Sequence, residues 1–234
     1  MASFGNGRRV AIIEGVRTPF ARAGTTLKSL SAIDLGKIAV GELIQRTNLD
    51  PATLDLLVFG TVIPSVLAPN IAREVALMPL LPKSVQAWSV SRACASANQA
   101  ITDAADKIAL GHADVAIAGG AESLSTVPIL HSRGFSDALV AASKAKSLGQ
   151  RLQALAKVRP KDFIPITPAI AEFTTGESMG QSAEKMAKLN GVTRSEQDAL
   201  SLASHLNAAQ GTRDGRLTAE MAPVYLPPRY EQVM

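Results

Sequence analysis

The sequence predicts an α/β fold, a layered five-stranded mixed sheet with helices on both faces and a helical insertion. Three observations predict it. Short apolar runs alternate with helical patterns through residue 120. Hydrophobic residues make up 47% of the chain against 19% charged, enough for a sizeable core. Strand signals then fade after Ser125 and return only near the end.

The elements follow in order. RVAIIE (9–14) is a short apolar run and reads as a first buried strand. A loop with Pro19 and Gly24 leads to a helix from about Ala32 to Arg46, capped by Ser31 with Asp34 in its first turn. Asp50-Pro51 marks a second helix start, and LDLLVFGTVI a second strand. IAREVALM is helical, VQAWSVS (85–91) a third strand, ASANQAITDAADKIAL a helix of small residues ending at Gly111, and DVAIAGG a fourth strand. This alternation argues for a mostly parallel sheet. SAEKMAKL, stopped by Gly191, is an amphipathic helix; another opens with Thr193-x-x-Glu196, a capping box. MAPVYL is a further strand, ended by Pro227 and Pro228. The expected division is a core of residues 1–124, a helical insertion of 125–218 and a return strand in 219–234.

Composition excludes several functions. One cysteine rules out an intrachain disulfide framework and a cysteine-cluster metal site, and His112, His131 and His205 have no ligand spacing, so no metal is expected. The net charge of +4 comes without finger spacing, an RNP-like aromatic motif or a basic zipper, so nucleic acid is not the expected partner. No apolar run approaches a membrane span, and MASFGNGRR lacks the apolar stretch of a secretory signal. A reducing intracellular compartment is expected, the bacterial cytoplasm rather than a mitochondrion.

Cys94 lies in SVSRACASANQA, just after a strand and just before a helix. Backbone N–H groups at a helix N-terminus are unpaired and carry partial positive charge, which stabilises a thiolate. Ala93, Ala95 and Ser96 are small and leave room for a substrate. From these residues alone, a buried structural cysteine and a nucleophile are both open.

SVSRACASANQA resembles the nucleophile segment of thiolases. GGAESLSTVP (119–128), ESMGQSAEKMA, TRSEQDALSLASHLNAA and RTPFAR resemble further segments of that family, in its order and across nearly the whole chain. APNIAREV and VSRACA resemble the fatty-acid-degrading 3-ketoacyl-CoA thiolases that partner a hydratase/dehydrogenase subunit. The resemblance implies that Cys94 attacks a 3-ketoacyl-CoA, releases acetyl-CoA and holds the shortened acyl group as a thioester, which a second CoA removes. It implies that the Cys94 N–H joins an oxyanion site and that Met179 lines the acyl pocket. Coenzyme A would be a substrate rather than a resident cofactor, and the insertion would cover it. Thiolases dimerise through strands beside the nucleophile segment, so a homo-oligomer is implied.

The family's second half carries Asn-Glu-x-Phe, Gly-His-Pro and Cys-x-Gly segments, and none occurs in these residues. The 234 residues alone are therefore expected to turn over poorly. The helix after Cys94 adds that they do not stand alone: Ala97, Ala100, Ile101, Ala104, Ala105 and Ile108 surround much of its axis, and such a helix is normally buried on several sides.

Residues 130–170 hold Arg133, Lys144, Lys146, Arg151, Lys157, Arg159 and Lys161 among apolar residues near helical spacing. A basic amphipathic helix fits an anionic membrane surface; a solvated helix packed on a partner subunit fits equally. The related thiolase subgroup carries a similar insertion. The expected function is the N-terminal half of a 3-ketoacyl-CoA thiolase in fatty-acid β-oxidation. The alternative is a thiolase-like protein that binds CoA, a membrane or a partner without turnover. A ketoacyl synthase relative fits the insertion and the Met-Gly segment poorly.

Overall fold

The computed structural model describes residues 9–166 and 171–232. They form two compact units, one running to Val127 and resuming at Ala209, the other Pro128–Ala208.

In the first unit, α1 (Ala32–Thr47) opens on a capping box in which Ser31 accepts from the Asp34 N–H and Asp34 accepts from the Ser31 N–H. Three parallel strands follow, β1 (Leu56–Gly60), β2 (Gln86–Val90) and β3 (Ala116–Gly120), in the order β2-β1-β3. β1 is central and buried on both faces, which explains its unbroken apolar run. Leu57 and Phe59 pack with Val40 and Ile44 of α1 and Ile71 and Val75 of α2 (Ile71–Ala76). Leu56 and Val58 point the other way, onto Ala100 and Ala104 of α3 (Ser96–Ala109). Helices thus cover both faces. Burying each large β1 side chain stabilises by roughly 1.5–3 kcal/mol. The Asp55 carboxylate fastens β1 to β3 by accepting from the Asp114 N–H at 2.8 Å and the Val115 N–H at 3.1 Å. Those backbone bonds hold its pKa below the ordinary carboxylate value.

The sheet differs from expectation in two respects. It has three parallel strands rather than five mixed ones among the described residues. Residues 9–14 form no ladder, and Ile12 and Ile13 are more than 80% exposed. The return segment meets the chain later, at Arg17, whose N–H donates to the Glu220 C=O while the Ala222 N–H donates to the Arg17 C=O. Its Val224 packs with Leu27 and Leu30, and only Tyr225–Leu226 (β4) pairs, antiparallel, with Glu231–Gln232 (β5). An apolar run marks strand propensity, but a strand also needs a partner whose register the run itself does not encode. The helix expected from Asp50-Pro51 is a single 3₁₀ turn, Pro51–Thr53, because β1 begins three residues later.

The second unit holds α4 (Arg133–Lys144), α5 (Leu148–Leu155), a 3₁₀ turn at Pro160–Phe163, α6 (Met179–Leu189) and most of α7 (Arg194–Arg213). α8 (Arg216–Ala219) follows in the first unit. The expected basic segment of 130–170 is broken after Lys144, because the Ser147 hydroxyl accepts from the Gln150 N–H and starts a new helix. Its last residues, 167–170, lie outside the described residues. Ser178 caps α6, and Thr193 and Glu196 form the capping box of α7. The buried Asp162 carboxylate accepts from the Arg159 side chain and N–H, both at 3.1 Å, and from the Ser132 hydroxyl at 3.0 Å. The Arg159 side chain is the leading reason its pKa lies below the ordinary value. Among the described residues of this unit, only Ala138 and Asp162 are buried.

Candidate active site

β1, β2 and β3 run parallel and end in register, Gly60 opposite both Val90 and Gly120. Open parallel sheets offer their binding crevice at this carboxyl edge, where successive loops converge. The loop from β2 to α3 lies there and carries Cys94, which is exposed. It is a tight turn. The Ala95 N–H donates to the Arg92 C=O at 3.0 Å, and the Ser96 N–H to the Ala93 C=O at 3.1 Å. Ala93 takes a left-handed backbone with φ 46°, a conformation that costs a residue with a Cβ of order 1–2 kcal/mol. Strain of this kind persists where the surroundings over-determine it. The result is a thiol held two residues ahead of the first turn of α3, whose N–H groups lack intrahelical acceptors.

Glycines let the edge close up. A Cβ at Gly60 would lie 2.6 Å from the Ser96 carbonyl carbon, and one at Gly120 would lie 2.7 Å from the Gly60 carbonyl oxygen. The loop after β1 is fixed by Glu122, whose carboxylate accepts from the Val62 N–H at 2.7 Å and the Ile63 N–H at 3.3 Å. The Thr61 N–H donates to the Val90 C=O at 3.3 Å, which ties that loop to the strand leading into the Cys94 turn. Arg92 is held by Gln99, and Gln99 by Asp103.

A cavity of about 400 Å³ opens in the same unit between the Arg17–Ala23 loop and Gly120–Ser125. Cys94 does not line it. Arg17, in the RTPFAR segment, is engaged with Glu220 and stacks over Phe20.

Comparison with known proteins decides the family. Residues 10–234 match the family model described as thiolase, N-terminal domain. The chain belongs to the thiolase family. It is 48% identical over 222 residues to the 3-ketoacyl-CoA thiolase of Pseudoalteromonas translucida, covering 95% of this chain and 51% of that protein. Among solved structures, it is similar to the Bacillus anthracis acetyl-CoA acetyltransferase, with a TM-score of 0.73, 25% identity, and coverage of 94% of this chain and 52% of that one. It is also similar to the Acat5 thiolase of Ascaris suum in complex with coenzyme A, with a TM-score of 0.71, 28% identity, and coverage of 90% and 50%. The chain thus spans about half the length of the thiolases it matches.

The remaining expected residues fall as follows. Met179 opens α6 in the second unit and is 55% exposed. His112 follows the C-terminal end of α3, a helix of 14 residues and so ~21 Å long, while Cys94 precedes its other end. His131 stacks edge-on against Phe135 in the second unit, and His205 lies exposed on α7. Among the described residues no group of three or more His, Cys, Asp or Glu could hold a metal ion, and no helix is long and apolar enough to cross a membrane. Sequence reasoning missed the left-handed Ala93 and the parts played by Gly60 and Glu122. Only the glycine at the end of an apolar strand run offered a signal, since interior strand glycines mark close backbone approach.

Proposed function

We propose that this chain is the N-terminal half of a degradative 3-ketoacyl-CoA thiolase, with Cys94 as the acyl-accepting nucleophile. The observation that carries the proposal is the strained Ala93–Cys94 turn between β2 and α3, at the carboxyl edge of a parallel sheet, in a thiolase N-terminal domain. The Cys94 thiolate attacks the C3 carbonyl of a 3-ketoacyl-CoA. The oxyanion that forms is met by the Cys94 N–H. The C2–C3 bond breaks, acetyl-CoA leaves after protonation at C2, and the acyl group remains on Cys94 until a second CoA thiol removes it. The first unit is the core and the second is the insertion that covers CoA, with Met179 against the acyl chain.

Protonation at C2 and activation of Cys94 need groups that these 234 residues lack. Cys94 is the single cysteine, and no histidine is followed by proline. General acid–base help is typically worth about 10²–10⁴-fold. A thiolysis assay with a 3-ketoacyl-CoA and free CoA tests this. The 234 residues are expected to be slower by about that factor than a complete thiolase and to recover when a thiolase C-terminal half is added. Full turnover by the chain alone contradicts the account.

Oligomerisation and surface contacts belong to the same proposal. α3 leaves Ala97 exposed and Ile101 44% exposed, a face suited to a second apolar layer from another subunit or from a C-terminal half. Lys144, Lys146, Arg151 and Lys157 are exposed beside Val140, Leu148 and Leu152, which fits an anionic membrane or a hydratase/dehydrogenase partner. The setting is the bacterial cytoplasm. Light scattering coupled to size exclusion should give a mass above the 24.5 kDa of one chain.

A further inference from the structure

Ser96 is the first residue of α3 and is 4% exposed. Its hydroxyl accepts from the Arg92 N–H at 2.8 Å and donates to the Ala93 C=O at 2.6 Å. These two bonds bracket Ala93, the residue in the left-handed conformation. One hydroxyl therefore closes the turn from both sides, and Cys94 lies inside the loop it closes. The bonds need Ser96 to sit hard against the end of β1. Gly60 permits this: a Cβ there would lie 2.6 Å from the Ser96 carbonyl carbon, 2.7 Å from the Ser96 Cβ and 2.9 Å from the Ala97 nitrogen. Two of those three neighbours are backbone atoms and cannot swing aside.

We propose that Ser96, seated on Gly60, is the positioning residue that holds Cys94 in reactive register with the first turn of α3. Ser96 touches neither substrate nor the reacting atoms in this account; it acts by fixing the turn. Without the hydroxyl, the Arg92 N–H loses its acceptor and the Ala93 C=O keeps only the Ser96 N–H, so the left-handed turn relaxes and the thiol leaves its place before the helix N-terminus. The proposal rests on Cys94 being the nucleophile.

Because Cys94 is the single cysteine, alkylation by iodoacetamide reports on it alone. The full 234-residue chain is compared with Ser96→Ala, which lacks the hydroxyl, Ser96→Thr, which keeps it, and Gly60→Ala, which keeps it but displaces it. Ser96→Ala and Gly60→Ala are expected to slow alkylation by about 10-fold, a modest share of the ~10²-fold that a misplacement of about 1 Å can cost a positioned group. Ser96→Thr should stay within about twofold of the parent, and every rate is measured well below the unfolding temperature of the variant concerned, which Ser96→Ala lowers by leaving the Arg92 N–H without its acceptor. Ser96→Ala reacting at the parent rate overturns the proposal. So does an equal loss in Ser96→Thr, or a loss that only follows unfolding. A separate arm asks whether the parent takes an acyl group on Cys94 from acetoacetyl-CoA. No acyl adduct together with slowed alkylation in Ser96→Ala contradicts the proposed function and leaves the positioning role standing.

Discussion

The two units solve the problem of burial in opposite ways. In the first, β1 buries all five of its residues and separates two apolar clusters, one under α1 and α2 and one under α3. In the second, the described residues bury only Ala138 and Asp162, and Leu148, Leu152 and Leu189 stand more than 60% exposed on their helices. The difference suits each to the task the proposed function gives it. A sheet covered on both faces is rigid enough to hold a strained turn such as Ala93–Cys94. Helices whose apolar faces lie open are suited to close on something else, whether a bound CoA, a lipid surface or another chain.

The comparison can be broken most directly by truncation of one leucine in each unit. Leu57→Ala, at a site with no exposed surface, should cost about 2–5 kcal/mol in urea unfolding. Leu152→Ala, 61% exposed, should fall within about 0.5 kcal/mol of the parent. Similar losses at both sites would show that the second unit has a core of its own in solution.

A smaller effect is expected at the basic face of that unit. Cosedimentation with cardiolipin vesicles should weaken with salt and with Lys144→Gln and Lys146→Gln together. At ~1 kcal/mol for each basic residue near an anionic surface, the pair is worth ~2 kcal/mol, roughly 30-fold in partitioning. Binding indifferent to salt and to both substitutions would assign the face to a protein partner instead.

The smallest effect is acid sensitivity, and each unit has its own reporter. Asp162 and Asp55 both have pKa values lowered in the folded state, Asp162 chiefly by the Arg159 side chain and Asp55 by the Asp114 N–H. A lowered folded pKa contributes stability that is present above the unfolded carboxylate value and is lost as pH falls through the folded value. Asp162→Asn should therefore flatten the acid limb of the helical unit and leave that of the sheet unit in place, and Asp55→Asn should do the reverse. Proteolysis as a function of pH, with fragments mapped to each unit, reads the two separately.

What the sequence revealed follows the same division between local and non-local information. β1 was legible because a run buried on both faces is apolar throughout, β2 and β3 because short segments with Val, Trp, Ala and Ile lie between helical patterns, and α1, α6 and α7 because Ser31, Gly191 and Thr193-x-x-Glu196 mark their ends locally. The placement of Cys94 between strand and helix was legible for the same reason. Residues 9–14 misled because they resemble a strand while the pairing occurs at Arg17, and the partner, Met221, lies some two hundred positions away. The left-handed Ala93 was invisible because alanine carries no mark of positive φ; the bonds from Ser96 and the space at Gly60 impose it. Glu122 sits in a segment the family resemblance picked out, yet its hold on Val62 and Ile63 depends on two strands lying side by side.

The central claim is that the sheet unit carries the chemistry at Cys94. Incubation of the chain with acetoacetyl-CoA, acid quenching and peptide mapping by mass spectrometry tests it most directly. The account predicts a slowly formed acetyl thioester on the peptide containing Cys94, removed by free CoA and absent from Cys94→Ala. An adduct that survives in Cys94→Ala, or one found on any other residue, would contradict it.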